Sequence, residues 1–238
     1  MEFVIDLDLV RQLARKEATT ARAEIQSMGL RPAFNRALQR HDSVIANAAD
    51  VNTLACKQGC SWCCYFSVDV RAVETLNIAE YVRANFSESH LRQLQHELAE
   101  NSRTLAGLDE EQRMQQNIKC PFLMEGKCSI YPVRPQTCRN YHATDAAGCK
   151  LSYEQPNNFD IAPDYAPLVY QRGATHVDTF ADVMNKAGYD IQVYELNGAL
   201  HAALNQPDET LQRFSSGQIV FPQLQGTVVP LEFAESQE

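Results

Sequence analysis

Four cysteines fall within nine consecutive residues, CKQGCSWCC from Cys56 to Cys64, and four more follow at Cys120, Cys128, Cys138 and Cys149. Single buried cysteines act as small apolar side chains, but scatter does not produce this density. The sulfurs therefore call for a common partner. A chain of 238 residues with 45% hydrophobic content can bury enough apolar surface to fold without disulfide staples. The N-terminal stretch MEFVIDLDLVRQLARK puts acids first and shows neither a basic leader nor an apolar secretory run, and no segment approaches the length of a membrane span. The expected address is the cytoplasm, where thiols stay reduced and clustered cysteines bind metal more often than they pair.

The spacing is C-x3-C-x2-C-C in the first group and, after a long gap, C-x7-C-x9-C-x10-C in the second. Thiolates are soft ligands for zinc or iron-sulfur clusters, and either would cross-link the two segments. Gly59 lets the backbone turn tightly before Cys60 and leaves amides free to bond to sulfur. Cys63 and Cys64 are adjacent and cannot both face one tetrahedral metal, so one of them serves a second site, bridges, or stays free.

Formal net charge is -9, from 30 acids and 21 bases, which argues against nucleic acid or an anionic membrane as the main partner. Between Lys119 and Lys150 the balance reverses, because Lys119, Lys127, Arg134, Arg139 and Lys150 face only Glu125 and Asp145. Cations in that stretch would offset the negative charge of a thiolate-ligated metal.

The rest of the chain reads as helix. Leu7, Val10, Leu13, Ala14, Ala18, Ala21, Ile25 and Met28 recur at three- and four-residue steps, predicting a helix over 6–28 that ends near Gly29. A second begins at Pro32 and carries Phe34, Leu38, Ile45 and Ala48 on its apolar side. Helical spacing recurs over 68–86, then after a Ser87 cap through Leu91, Leu94 and Leu98, and a short helix is expected over 109–117. From Ile118 to Pro167 the pattern dissolves into Pro, Gly, Asn and Cys, and a stretch that long needs an organiser other than apolar packing. Helices are expected again over 168–187, 193–204 and 208–214, with an extended tail packed on the body. The fold expected is mainly α: one domain, 1–238, with a helical hairpin (1–50), a cysteine-cluster core (52–150) and a C-terminal helical extension (151–238).

The first motif, followed by FSVDVRAVETLNIAEYV, and the second, CPFLMEGKCSIYPVRPQTCRNY, resemble the cysteine-cluster family named for its CxxCxxCC motif, the YkgJ family of zinc- or iron-chelating proteins. The resemblance covers about residues 52–150 and runs through Cys120 and Pro121, Gly126 and Cys128, Ile130 and Tyr131, Arg134 and Pro135, and Cys138, Arg139 and Tyr141. The first spacing is one residue longer than the family name indicates. The resemblance implies metal binding by Cys56, Cys60, Cys63, Cys64, Cys120, Cys128, Cys138 and Cys149. It also extends to relatives of the flagellin lysine methylase, for which an iron-sulfur cluster working with S-adenosylmethionine is the expected chemistry. That activity does not transfer on cysteine motifs alone.

Spacing bears on the metal. Zinc ribbons use paired C-x2-C knuckles, which the second group lacks, whereas iron-sulfur sites accept irregular separations. C-x3-C-x2-C also resembles the three-cysteine signature of radical S-adenosylmethionine enzymes, but those place the loop after the first strand of a parallel barrel, and here helices flank it. A 4Fe-4S cluster is thus favoured over structural zinc, and both stay open. His142 is a further ligand candidate, with a surface or supporting role the commoner alternative. Trp62, Tyr131 and Tyr141 are candidates to shield the centre, and Arg134 and Arg139 to pair with thiolates and carbonyls. No nucleophile-base pair, Walker loop or dinucleotide fingerprint is present. A metal carrier, an electron carrier that uses a protein partner, and a cluster-dependent methyltransferase with a protein substrate all satisfy these residues.

Overall fold

The structure, a computed structural model, describes residues 6–57 and 59–233. In its first half helices α1 (Leu7–Met28) and α2 (Leu30–Ala46) precede strand β1 (Asp69–Arg71) and helices α3 (Ala72–Asn85), α4 (Glu88–Leu105) and α5 (Glu110–Met114). Strands β2 (Leu123–Met124) and β3 (Lys127–Cys128) and helices α6 (Gln136–Asn140) and α7 (Ala146–Glu154) occupy the cysteine-rich stretch. Helix α8 (Pro167–Lys186), strand β4 (Val193–Glu195) and helices α9 (Leu196–Asn205) and α10 (Pro207–Ser215) complete a mainly α architecture.

Helix α1 starts where the Asp6 carboxylate accepts the Leu9 amide at 3.0 Å. It stops at Gly29, whose φ of +83° few other residues adopt. The same glycine opens α2, slightly ahead of Pro32. Proline is tolerated there because the first amides of a helix have no intrahelical partner. Of the expected apolar stripe, Ala14, Ala18 and Ala21 are buried against α2 and α8, while Leu7 is exposed. Small side chains allow this close three-helix packing, and Phe34 meets Phe180 across it at 5.7 Å.

Glu17 lies buried within that stripe. Its carboxylate accepts Arg40 Nη2 at 2.7 Å and Arg40 Nε at 2.8 Å, and His176 Nε2 stands 3.1 Å away. Burial pushes the Glu17 carboxyl up, but the bonds from Arg40 and His176 outweigh it and hold the group below its ordinary value.

Residues 68–86, expected as one helix, instead begin with β1, which pairs antiparallel with β4 in the register Asp69↔Glu195, Val70↔Tyr194, Arg71↔Val193. The strand is fixed by its partners: Val70 is fully buried opposite Tyr194, and the Asp69 carboxylate accepts Arg113 Nη1 at 2.8 Å. The start of the expected 193–204 helix is likewise strand β4, a stretch that three residues are too few to reveal by period. Helix α4 begins at the Ser87 cap, whose hydroxyl accepts the His90 amide. Helix α5 is shorter than expected and ends before Asn117, which adopts a positive φ of 46°.

The stretch expected to be irregular holds two helices and a hairpin. Glu125 and Gly126, both at positive φ, make the two-residue turn between β2 and β3. Asp145 caps α7 by accepting the amides of Ala147 and Gly148 at 2.8 and 2.9 Å. Elements this short leave no readable period.

One apolar core draws on α1, α2, α3, α4, α8, α9 and α10, and Cys120 and Cys128 pack against its edge. The tail lies on the body as expected: Val193 and Thr227 exchange backbone bonds of 2.8 and 3.0 Å, and Val220 and Phe221 are buried. Residues 234–238 of that tail lie outside the described residues. Among the described residues no helix is long and apolar enough to cross a membrane. Glu17→Ala removes the carboxylate that faces His176 and one of two that hold Arg40, which keeps Glu24 at 2.6 Å, so it is expected to lower the unfolding free energy by about 1–3 kcal/mol, the cost of a buried polar group left without its partner. Urea denaturation checks this, and a loss below about 1 kcal/mol would place the cluster in an effectively solvated setting.

Candidate metal centre

The first cysteine group is not a helix but a chain of tight turns. The Ala55 amide bonds to Ala143 O at 2.9 Å, and Cys56 Sγ accepts the Ala143 amide at 3.4 Å. These contacts pin the first cysteine to the far end of the cysteine-rich stretch. Gly59, with φ +93°, follows in the turn that the Cys60 amide closes onto Lys57 O at 3.0 Å. Residues Trp62–Tyr65 then form a 3-10 turn that carries Cys63 and Cys64. The Cys64 carbonyl accepts the Cys120 amide at 2.7 Å, joining the two cysteine groups through backbone.

The second group is distributed over the hairpin and the short helices. Cys128 ends β3 opposite Leu123. Cys138 lies on α6, whose first amide, that of Gln136, bonds at 2.7 Å to the buried carboxylate of Glu74. The same carboxylate accepts the Arg71 amide at 2.8 Å. Burial pushes the Glu74 carboxyl up in spite of Arg71 and these two amides. Cys149 lies on α7, which packs against the Trp62–Tyr65 turn. The Tyr153 ring of α7 is 5.4 Å from Trp62 and 4.9 Å from Tyr65, and the Asn117 side chain donates to its carbonyl at 2.6 Å. Cys56 is exposed and Cys149 buried, the other six are intermediate, and all eight are free thiols.

Electrostatics describe how these thiols see one another. A hydrogen bond with Cys64, then burial, pushes the Cys63 thiol far up. Burial, then Cys128 and Cys63, takes Cys120 up to about 12. Burial, then Cys56, Cys63 and Cys60, takes Cys149 up to about 11. Cys138 is raised well above its ordinary value by burial, with Cys120, Cys63 and Cys128 adding to it. Burial also raises Cys56 and Cys128, and at Cys128 the guanidinium groups of Arg134 and Arg139 pull the other way. Each thiol thus disfavours charge on its neighbours, and a bound cation is what would reverse that. Eight soft donors drawn together in a partly dry setting suit a thiophilic metal. As they stand, no three or more His, Cys, Asp or Glu side chains among the described residues are arranged to hold a metal ion. The sulfurs are neighbours, not a preformed coordination sphere.

The remaining candidates separate clearly. Arg139, 2% exposed, bonds to the Asp42 carboxylate and the Pro132 carbonyl, and so pairs mainly with a carboxylate on α2, a partner not expected from sequence. Burial pushes the Asp42 carboxyl up, but His41 and Arg139 outweigh it and hold the group well below the usual carboxylate range. Arg134 donates to the Tyr131 carbonyl at 3.1 Å and lies over the Tyr131 ring at 3.9 Å. Tyr131 is 61% exposed, and its recorded ring contact is with Arg134. Tyr141 does stand beside the thiols: burial, then Cys149, Cys63 and Cys56, takes its phenol up to about 12. Trp62 joins Tyr65 and Tyr153 in an aromatic wall along the first group. His142 is pushed down to about 4 by burial, then by His41 and Arg134, so its charged neighbours lie toward α2. Glu74, Ala143, Asp145 and Tyr153 position the centre and were missed from sequence; only Asp145, ahead of Ala-Ala-Gly, and Glu74, three residues after Arg71, carry a readable capping signal.

Residues 55–165 match the CxxCxxCC family model, described as "Putative zinc- or iron-chelating domain". The match takes in all eight cysteines and leaves α1, α2, α8 and everything after it outside. No curated protein and no solved structure is similar enough to the chain to count as a match.

The raised thiols set a pH limit for the metal-free chain. Because Cys120 and Cys149 titrate near 12 and 11 when folded, against an ordinary value of 9.0, the folded state holds protons that the unfolded chain releases. Their contribution to stability is intact below pH 9 and is lost as pH rises through 11 and 12. Chelator-treated protein is therefore expected to lose denaturation midpoint above pH 9 more steeply than metal-loaded protein, and equal slopes would contradict this assignment.

Proposed function

We propose that the chain is a metal-binding cysteine-cluster protein that holds a 4Fe-4S cluster through thiolates drawn from Cys56, Cys60, Cys63, Cys64, Cys120, Cys128, Cys138 and Cys149. The observation that carries this reading is the convergence of both cysteine groups on one another, through the Cys64–Cys120 backbone bond and the mutual influence of their thiols. The irregular separations of the second group, spread over a hairpin and two short helices, favour a cluster over a zinc knuckle. Such a cluster would supply one-electron chemistry, and a cluster with an open iron would also bind a cofactor.

The protein's own part in that chemistry is to gather, orient and partly desiccate the sulfurs. Glu74 fixes α6 and hence Cys138, Ala143 fixes Cys56, and the wall of Trp62, Tyr65 and Tyr153 covers one flank. Arg134 and Arg139 favour the anionic form of Cys128.

Anaerobic purification with metal and sulfide analysis tests the proposal. The expected product is brown, with iron and acid-labile sulfide in equal amounts, and Cys60→Ser should lose metal and melt several degrees lower. A colourless protein with stoichiometric zinc would replace the cluster by structural zinc. If S-adenosylmethionine neither binds nor alters the visible spectrum of the brown protein, the methyl-transfer reading is excluded.

A further inference from the structure

We propose that the cleft between α2 and α3 is a binding site for a small neutral polyhydroxyl compound, a sugar of one or two rings. It has a volume of about 450 Å³, within the range of small-molecule sites. None of the cysteines lines it, so this site and the metal centre can be tested separately.

Each wall is one face of a helix. On α2 the lining runs from Asn35 to Asp42 and on α3 from Asn77 to Ala84, in both cases at the three- and four-residue steps that stack side chains on one side. Facing helices ordinarily meet through apolar side chains, yet Asn35, Gln39 and Asn77 bring amides here, and Asp42 and Glu80 bring carboxylates. The charges cancel in pairs: the Asp42 carboxylate accepts Arg139 at 2.6 Å, and that of Glu80 accepts Arg31. A charged ligand would break a pair or face a like charge, whereas a neutral one leaves both pairs intact. Asn77 and Arg139 line the cleft at 7% and 2% exposure, and Asn77 Nδ2 and Arg139 Nε have no hydrogen-bond partner among the described residues. An unpaired buried donor is costly, so the site favours a ligand that supplies acceptors. A turn of the Asn77 amide about χ2, whose preference is broad, offers Nδ2 to such a ligand. Amides and carboxylates carry two polar atoms side by side, and so do the adjacent hydroxyls of a sugar, which donate and accept at once. A peptide amide presents its donor and acceptor on opposite edges and matches them less well. The partly buried Tyr81 and the buried Leu38 give an apolar surface for the C–H side of a sugar ring.

Isothermal titration calorimetry of the full-length protein against neutral monosaccharides and disaccharides tests this, with N-acetylglycinamide as the amide control and far-ultraviolet circular dichroism to establish folding. At least one sugar is expected to bind the wild type, and the amide is not. Asn77→Leu removes a donor, and Ala84→Trp fills the cleft from an exposed position. Each is expected to weaken binding of that sugar by roughly tenfold or more. Where Asn77→Leu fails to fold, the exposed Gln39→Ala takes its place. Binding of the amide in preference to every sugar would make the cleft a peptide site and overturn the proposed class. A wild type that binds none of the sugars overturns it as well, and so does a sugar that binds the folded variants as tightly as the wild type.

Discussion

One buried carboxylate, that of Glu74, holds the cysteine-rich stretch to the helical body. It accepts an amide from the end of β1 and another from the start of α6, so strand, helix α3 and the element bearing Cys138 meet at one group. Without it the Gln136 amide of α6 and the Arg71 amide of β1 would be unpaired donors in a dry interior, at a cost of the order of 1–3 kcal/mol each. Apolar packing could not do this work, because α6 is five residues long and offers little surface. Cys149 and Cys56 are fastened in the same manner, the first through the Asp145 cap of α7 and the second, from the other cysteine group, through the Ala143 amide. The metal-binding region is thus an assembly of small pieces held by directed polar bonds beside a conventional core.

That mode of construction explains the state of the thiols. Polar anchors bring sulfurs together without requiring them to carry charge, and burial then makes charge expensive. Cys128 has cations acting on it, Arg134 and Arg139, and Arg139 is largely committed to Asp42. Metal binding would therefore expel protons from several sites together, which ties affinity to pH more steeply than a single ligand would.

The helical body was legible in the sequence because its helices are long: α1 and α2 with Gly29 between them, the Ser87 cap of α4, and α8 all show sustained apolar spacing. The strands β1 and β4 were not, since each is three residues long and flows directly into a helix whose period swallows it. The candidate site divides likewise. The cysteines announce themselves by density, whereas Glu74, Ala143 and Tyr153 act from positions whose relation to the thiols exists only after folding. Arg139 does reach a carbonyl, that of Pro132, but its carboxylate partner, Asp42 on a distant helix, was not legible for the same reason.

The pairing of β1 with β4 carries a lesson about transplanting this region. Residues 55–165 carry the family pattern, yet the strand inside that span is hydrogen-bonded to residues 193–195, beyond it. Val70 on β1 is sealed by Tyr194 opposite, and Leu196 donates its amide to the Val68 carbonyl at 2.9 Å. A fragment cut at the borders of the motif would expose a raw strand edge and the apolar underside of α3. The boundaries by which the cysteine pattern is recognised are therefore not those of a portable cassette, and a graft or minimal version would have to bring α8 and α9 with it.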